Sequence, residues 1–149
     1  MGPVNGCKSL APSPKSLTIK GFAKNMIKSY QDLNAWQKSM EAAKDIYSLT
    51  SKFPSDERFG LISQIRRSAV SIPSNIAEGH ARKSRLEFRQ FISIALGSLA
   101  ELETQLILSH RLEFVLKEET EAIMGKLDDI GKMLRGLNKS LASSPKSHA

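Results

Sequence analysis

Between residues 60 and 90 the chain holds six bases, Arg66, Arg67, Arg82, Lys83, Arg85 and Arg89, against two acids, Glu78 and Glu87. Five of the six are arginines, whose planar, permanently charged fork matches phosphate oxygens better than a lysine ammonium does. The chemistry on offer is phosphate binding, with a nucleic-acid backbone as the natural ligand. The plainer alternative is a solvated face with local ion pairs, such as Glu78 with Arg82 one helical turn on. A second set, Gln64, Ser68, Ser71, Asn75, Glu78 and Arg82, recurs at spacings of 4, 3, 4, 3 and 4 and so lines one helix face. Its middle is small, polar and uncharged, unlike an ordinary solvated face rich in Lys and Glu, and it reads as an interface. Glu101, on a later helix, is placed with it as a hydrogen-bonding or ion-pair residue for this stripe or for a base of a neighbouring subunit.

Enzyme chemistry finds little support. Carboxylate-bridged metals in helix bundles use Glu-x-x-His, which projects both ligands from one face, but the residues three before His80 and His110 are Ala77 and Ile107. No Ser-His-Asp, Cys-His or phosphate-loop pattern occurs, and GSLAEL around Gly97 lacks the strand and spacing such a loop requires. Glu101, Glu103, Thr104 and Gln105 have no histidine or metal partner and read as structural, and Gly97 and Ser98 as small residues for close helix approach. The single cysteine, Cys7, offers no disulfide pair or redox motif. The chain is expected to be a non-enzyme with no catalytic residue, metal or cofactor. Stacking of bases is not expected either, since most of the nine aromatics fall on apolar stripes.

The elements that must position these residues are helices. Asp32 is expected to cap a first helix from about Leu33 to Phe53, closed by Pro54, which lacks a backbone donor. Its apolar residues form two adjacent stripes, Leu33, Trp36, Met40, Ala43 and Tyr47, then Ala42, Ile46, Leu49 and Phe53, a face wide enough for two partners. Ser55 is expected to cap a second helix that runs to about Gly79, with Leu61, Ile65, Ala69, Ile72 and Ile76 as its core stripe. Pro73 inside it predicts a kink, at a cost of about 3 kcal/mol unless packing compensates. Ser84 and Glu87 spell a capping box for a third helix of about 27 residues, too long for a recognition helix of the helix-turn-helix kind. A fourth helix carries Ile123, Leu127, Ile130, Leu134, Leu137 and Leu141 at heptad spacing. Gly125, Gly131 and Gly136 weaken it by up to about 1 kcal/mol each relative to alanine. Four amphipathic helices with short connectors predict an all-α, antiparallel up-down-up-down bundle over residues 31–142.

At 149 residues and a formal charge of +7, the chain suits one domain with a substantial core. Residues 1–30 contain five lysines and no acid, leaving 17 bases against 15 acids elsewhere; basicity is mainly a property of this segment. Rich in Pro, Ser, Gly and Lys, it reads as a disordered basic tail, with Met26 as an alternative start, and residues 143–149 read as a second disordered tail. No apolar run approaches the roughly 18 residues of a membrane span and no signal peptide opens the chain, which predicts a cytoplasmic protein without a membrane partner.

The run from Asp32 to Ser109 closely resembles the bacterial four-helix-bundle proteins known as 23S rRNA intervening-sequence proteins. SIPSNIAEG at residues 71–79, GSLAELETQL at 97–106 and the early Trp36 occur together and in order. The resemblance implies a ring-like homopentamer, in proteins often encoded within rRNA gene insertions, and no established biochemical activity. A more distant resemblance, to accessory proteins of diversity-generating retroelements, implies a similar pentameric barrel that works with nucleic acid and a reverse transcriptase. The resulting expectation is a non-enzymatic homo-oligomer associated with RNA or another nucleic acid through arginine–phosphate contacts. The rival expectation is a protein-interaction scaffold that binds another protein through the polar stripe and no nucleic acid.

Overall fold

The structure is a computed structural model that describes residues 29–143. The expected disordered tails, with Met26, lie almost wholly outside the described residues. Among the described residues there are four α-helices and no strand: α1, Asn34–Thr50; α2, Leu61–Ala81; α3, Arg85–Arg111; and α4, Lys117–Ala142. Neighbours in sequence pack together, and α1 also meets α4, closing the bundle. Cross-links give the directions. Lys52, just past the end of α1, pairs with Glu119 at the start of α4, while Arg85 at the start of α3 reaches the Ser143 carbonyl beyond the end of α4. The helices therefore alternate up and down.

Hydrophobic periodicity explains the core. Ile46, Ile65, Ile72, Ile76, Ile92, Leu102, Leu106, Leu127, Ile130 and Leu134 are fully buried, each stabilising the fold by about 1.5–3 kcal/mol relative to exposure. The two stripes of α1 part company. Ala42, Ile46, Leu49 and Phe53 enter the core, joined by Leu33 and Ala43 of the other stripe, whereas that stripe's Met40 and Tyr47 are each 46% exposed. Helix α2 runs unbroken past Pro73, whose side chain is buried.

Local chemistry corrects two of the expected caps. Asp32 does not cap α1: its carboxylate accepts the Ser29 N–H (3.2 Å) and closes a 3-10 turn, Tyr30–Asp32, and α1 starts only after Leu33. Ser55 does not cap α2 either. It opens another 3-10 turn, Ser55–Glu57, and the Glu57 carboxylate accepts the Leu61 N–H at 3.0 Å, satisfying one orphan donor of the true first turn. Ser84 caps α3 as expected, accepting the Glu87 N–H at 3.1 Å, while the Glu87 carboxylate turns to the Ser84 hydroxyl. Helix α3 ends with Glu113 at φ 63°, Glu113 N–H to the His110 carbonyl and Phe114 N–H to that of Ser109. This is a Schellman arrangement built on a residue other than glycine.

Candidate nucleic-acid interface

Folding separates the six bases into two groups. Arg66 lies on α2 and Arg82 just past its end, 16 residues on, roughly 24 Å away along the helix axis at 1.5 Å per residue. Arg66 is held: Nε donates to the Thr50 hydroxyl at 2.9 Å, and the guanidinium carbon sits 4.5 Å from the centre of the Tyr47 ring. Arg67, one residue on, is exposed, and its side chain has no hydrogen bond or ion pair among the described residues.

The second group surrounds the α2–α3 turn. Arg82 pairs with Glu78 at 3.0 Å and lies 5.0 Å over the Phe91 ring. Arg85 donates to the Ser143 carbonyl, and the half-buried Arg89 to Asn138 of α4, both at 3.2 Å. Lys83 is exposed without such a partner. Chain approach fixes this turn: a Cβ on Gly79 would fall 2.6 Å from that of Phe91 and 2.9 Å from the Phe88 ring. Arg82, Lys83 and Arg85 thus stand at an exposed corner with a rigid base.

The polar stripe is used largely inside the subunit. Ser71 and Ser98 hydroxyls meet at 2.8 Å, Asn75 donates to the Ser71 carbonyl (2.7 Å) and hydroxyl (2.9 Å), and the buried Ser68 donates to the Gln64 carbonyl at 3.1 Å. Ser98, and not Glu101, is the residue of α3 that meets it. Glu101 is exposed and accepts a long bond, 3.5 Å, from Gln105 of its own helix. Among the described residues the side-chain oxygen of Gln105, Oε1, is buried without a hydrogen-bond partner. Gly97 also departs from expectation, since nothing lies within 4 Å of a Cβ placed there: it faces outward, with Ser98 alone at the helix contact.

Sequence reasoning passed over a groove between α1 and α2. An open cavity of about 630 Å³ is lined by Trp36, Met40, Lys44, Tyr47, Val70 and Pro73 among others. A second, of about 640 Å³, shares Tyr47, Val70 and Ser74 with it and continues to Arg58, Phe59, Arg66 and Arg67. Phe59 is 92% exposed. The available signal was its place in a connector, off every apolar stripe and next to Arg58.

The outward face of α3 carries Ser93, Ile94, Gly97, Ala100, Glu101, Thr104, Ile107 and Leu108, all exposed, with a single charge. By length and composition α3 could cross a membrane, although polar residues interrupt its apolar run; 39% of its apolar stretch is buried within the bundle. Among the described residues no group of three or more His, Cys, Asp or Glu side chains is placed to hold a metal.

The same arrangement of helices occurs elsewhere. The crystal structure of a protein of unknown function from the S23 ribosomal protein family of Bacteroides thetaiotaomicron superposes with a TM-score of 0.66 at 33% identity, over 70% of this chain and 95% of the other. Among curated proteins nothing matches. The family model described as 23S rRNA-intervening sequence protein matches residues 31–136, from the 3-10 turn before α1 to near the end of α4. With the SIPSNIAEG helix, the Ser98 contact it makes and the fold all inside that span, the chain belongs to the 23S rRNA-intervening sequence protein family.

Proposed function

We propose that this protein is a non-enzymatic, cytoplasmic homo-oligomer, a pentamer, that associates with RNA through arginine–phosphate contacts at the α2–α3 turn. The carrying observation is the exposed corner formed by Arg82, Lys83 and Arg85, where the nearby carboxylates of Glu78 and Glu87 are engaged by Arg82 and Ser84. Phosphate contacts from such a corner bind without reading sequence. Self-association is supported by the outer face of α3, where eight exposed residues carry one charge and the exposed Ile94, Ile107 and Leu108 form the kind of patch that marks a protein contact. A ring would multiply one modest basic corner into a strong field.

The test is a gel shift of the full chain with structured RNA across a salt series. Replacing Arg82, Lys83 and Arg85 by Gln should weaken binding to all sequences alike and lower the log–log salt slope by about two to three, while light scattering still returns a multiple of the 16.5 kDa chain mass. Absence of RNA retention at low salt would remove the nucleic-acid reading and leave the protein-interaction scaffold.

A further inference from the structure

We infer that the continuous α1–α2 groove is a binding site for single-stranded RNA, in which Phe59 and Tyr47 stack bases and Arg58 and Arg67 hold the backbone. The inference rests on the nucleic-acid reading but uses a different surface from the α2–α3 turn and a different chemistry. Proteins that take up single strands combine a basic groove with aromatic rings on which bases stack, because every base offers a π-face.

The groove has both parts. Among the described residues its two stretches are lined by four aromatics, Tyr30, Trp36, Tyr47 and Phe59, and four bases, Lys44, Arg58, Arg66 and Arg67, with not one carboxylate. The chain outside residues 1–30 carries 15 acids against 17 bases, so a long lining free of acids is a local departure that complements an anionic ligand. Along α2 the lining runs from Ile62 to Ala77, roughly 22 Å at the helical rise, room for several nucleotides.

The rings differ in what they are free to do. Tyr30 and Trp36 pack edge to face on each other at 5.4 Å. Tyr47 offers the ring face away from Arg66, which already sits 4.5 Å from its centroid. Among the described residues Phe59 has no ring partner, and it is almost fully exposed, a costly position for a phenyl group that a stacked base would cover. The side chains of Arg58 and Arg67, on either side of it in sequence, have no hydrogen bond or ion pair among the described residues. Ser63 and Ser74, both exposed residues of the lining, add hydroxyls of the kind that hydrogen-bond ribose 2′-hydroxyls.

The test uses fluorescence anisotropy with the full chain and two probes, an unstructured 12-nucleotide RNA and a hairpin of equal length. Phe59→Ala should weaken the unstructured probe about ten- to a hundredfold and leave the hairpin unchanged, while Phe59→Trp restores binding; Arg67→Gln should weaken the unstructured probe more than the hairpin. Circular dichroism and light scattering accompany each variant, and the exposure of both side chains keeps folding out of the comparison. Equal effects on both probes, or none from Phe59→Ala, would overturn the inference while leaving the basic corner intact. A drop in oligomer mass with Phe59→Ala would overturn it differently, showing that a second copy of the chain occupies the groove. Failure of wild type to bind either probe would remove this inference and the proposed function together; loss of hairpin binding only in the Arg82, Lys83 and Arg85 variant separates the two.

Discussion

Helices α3 and α4 are nearly equal in length, 27 and 26 residues, and both place a regular apolar stripe in the same core. Their outer faces differ. On α4 the surface is filled with charge, including the Lys132–Asp128 and Lys117–Glu121 pairs one turn apart and a Lys126–Asp45 bridge to α1. On α3 the stretch from Ser93 to Leu108 exposes Ile94, Gly97, Ala100, Thr104 and Ile107 with Glu101 as its single exposed charge. Both helices turn an apolar stripe to the core, so the contrast lies in what their outer faces meet. It teaches that one outer face is written for water, while the other suits the proposed contact with a neighbouring copy.

The largest effect should come from placing charge on each face in turn. Leu108→Glu on α3 is expected to reduce the mass in light scattering to that of a single 16.5 kDa chain without loss of helicity, because Leu108 is 45% exposed in the subunit. Ala122→Glu, at an exposed position of α4, should leave the mass unchanged. A monomeric wild type, or equal responses from the two helices, would break the comparison.

A smaller effect separates two glycines. Gly79→Ala forces a methyl group against Phe91 and Phe88 and should destabilise the fold by about 1–3 kcal/mol in urea denaturation. Gly97→Ala meets nothing within the subunit. It should stabilise an isolated subunit by about 1 kcal/mol through helix propensity, yet weaken assembly if a neighbouring copy approaches there, which dilution-dependent light scattering reads directly.

The smallest effect concerns the charged side of α4. The Lys52 ammonium and the Leu116 N–H bond to Glu119 and hold its carboxyl below the usual carboxylate value. A depressed folded-state pKa adds stability that is fully present above the unfolded glutamate value, about 4.3, and is lost as pH falls through the folded value. Melting temperatures of wild type and Glu119→Gln should therefore differ slightly at neutral pH and converge in acid; being exposed, the pair should also weaken with salt. A difference that grows in acid would contradict this sign.

How much was legible beforehand depended on the range of the physics involved. Hydrophobic periodicity needs only sequence spacing, so Ile65, Ala69, Ile72 and Ile76, the third helix and its Ser84 cap could be read from the chain. Caps at Asp32 and Ser55 could not, because each side chain had a nearer use in a 3-10 turn, and only the folded backbone decides which donor a carboxylate or hydroxyl meets first. The two stripes of α1 looked equivalent in one dimension. Packing against α2 and α4 sent Ile46 inward and left Tyr47 at the groove.

The amino-acid sequence by itself determined that this protein is an all-α bundle with an arginine-rich segment, since helical spacing and side-chain charge are properties of residues a few positions apart. Only the tertiary structure decided which of those arginines stand together. Packing of α1 against α2 binds Arg66 to Tyr47 and Thr50, and packing of α4 against α3 binds Arg89 to Asn138, while Arg82, Lys83 and Arg85 are left exposed together at the α2–α3 turn. The groove that brings Phe59, Tyr47, Arg58 and Arg67 onto one surface likewise exists only once α1 and α2 pack, because the distance between side chains on different helices is set by that packing and not by their separation along the chain.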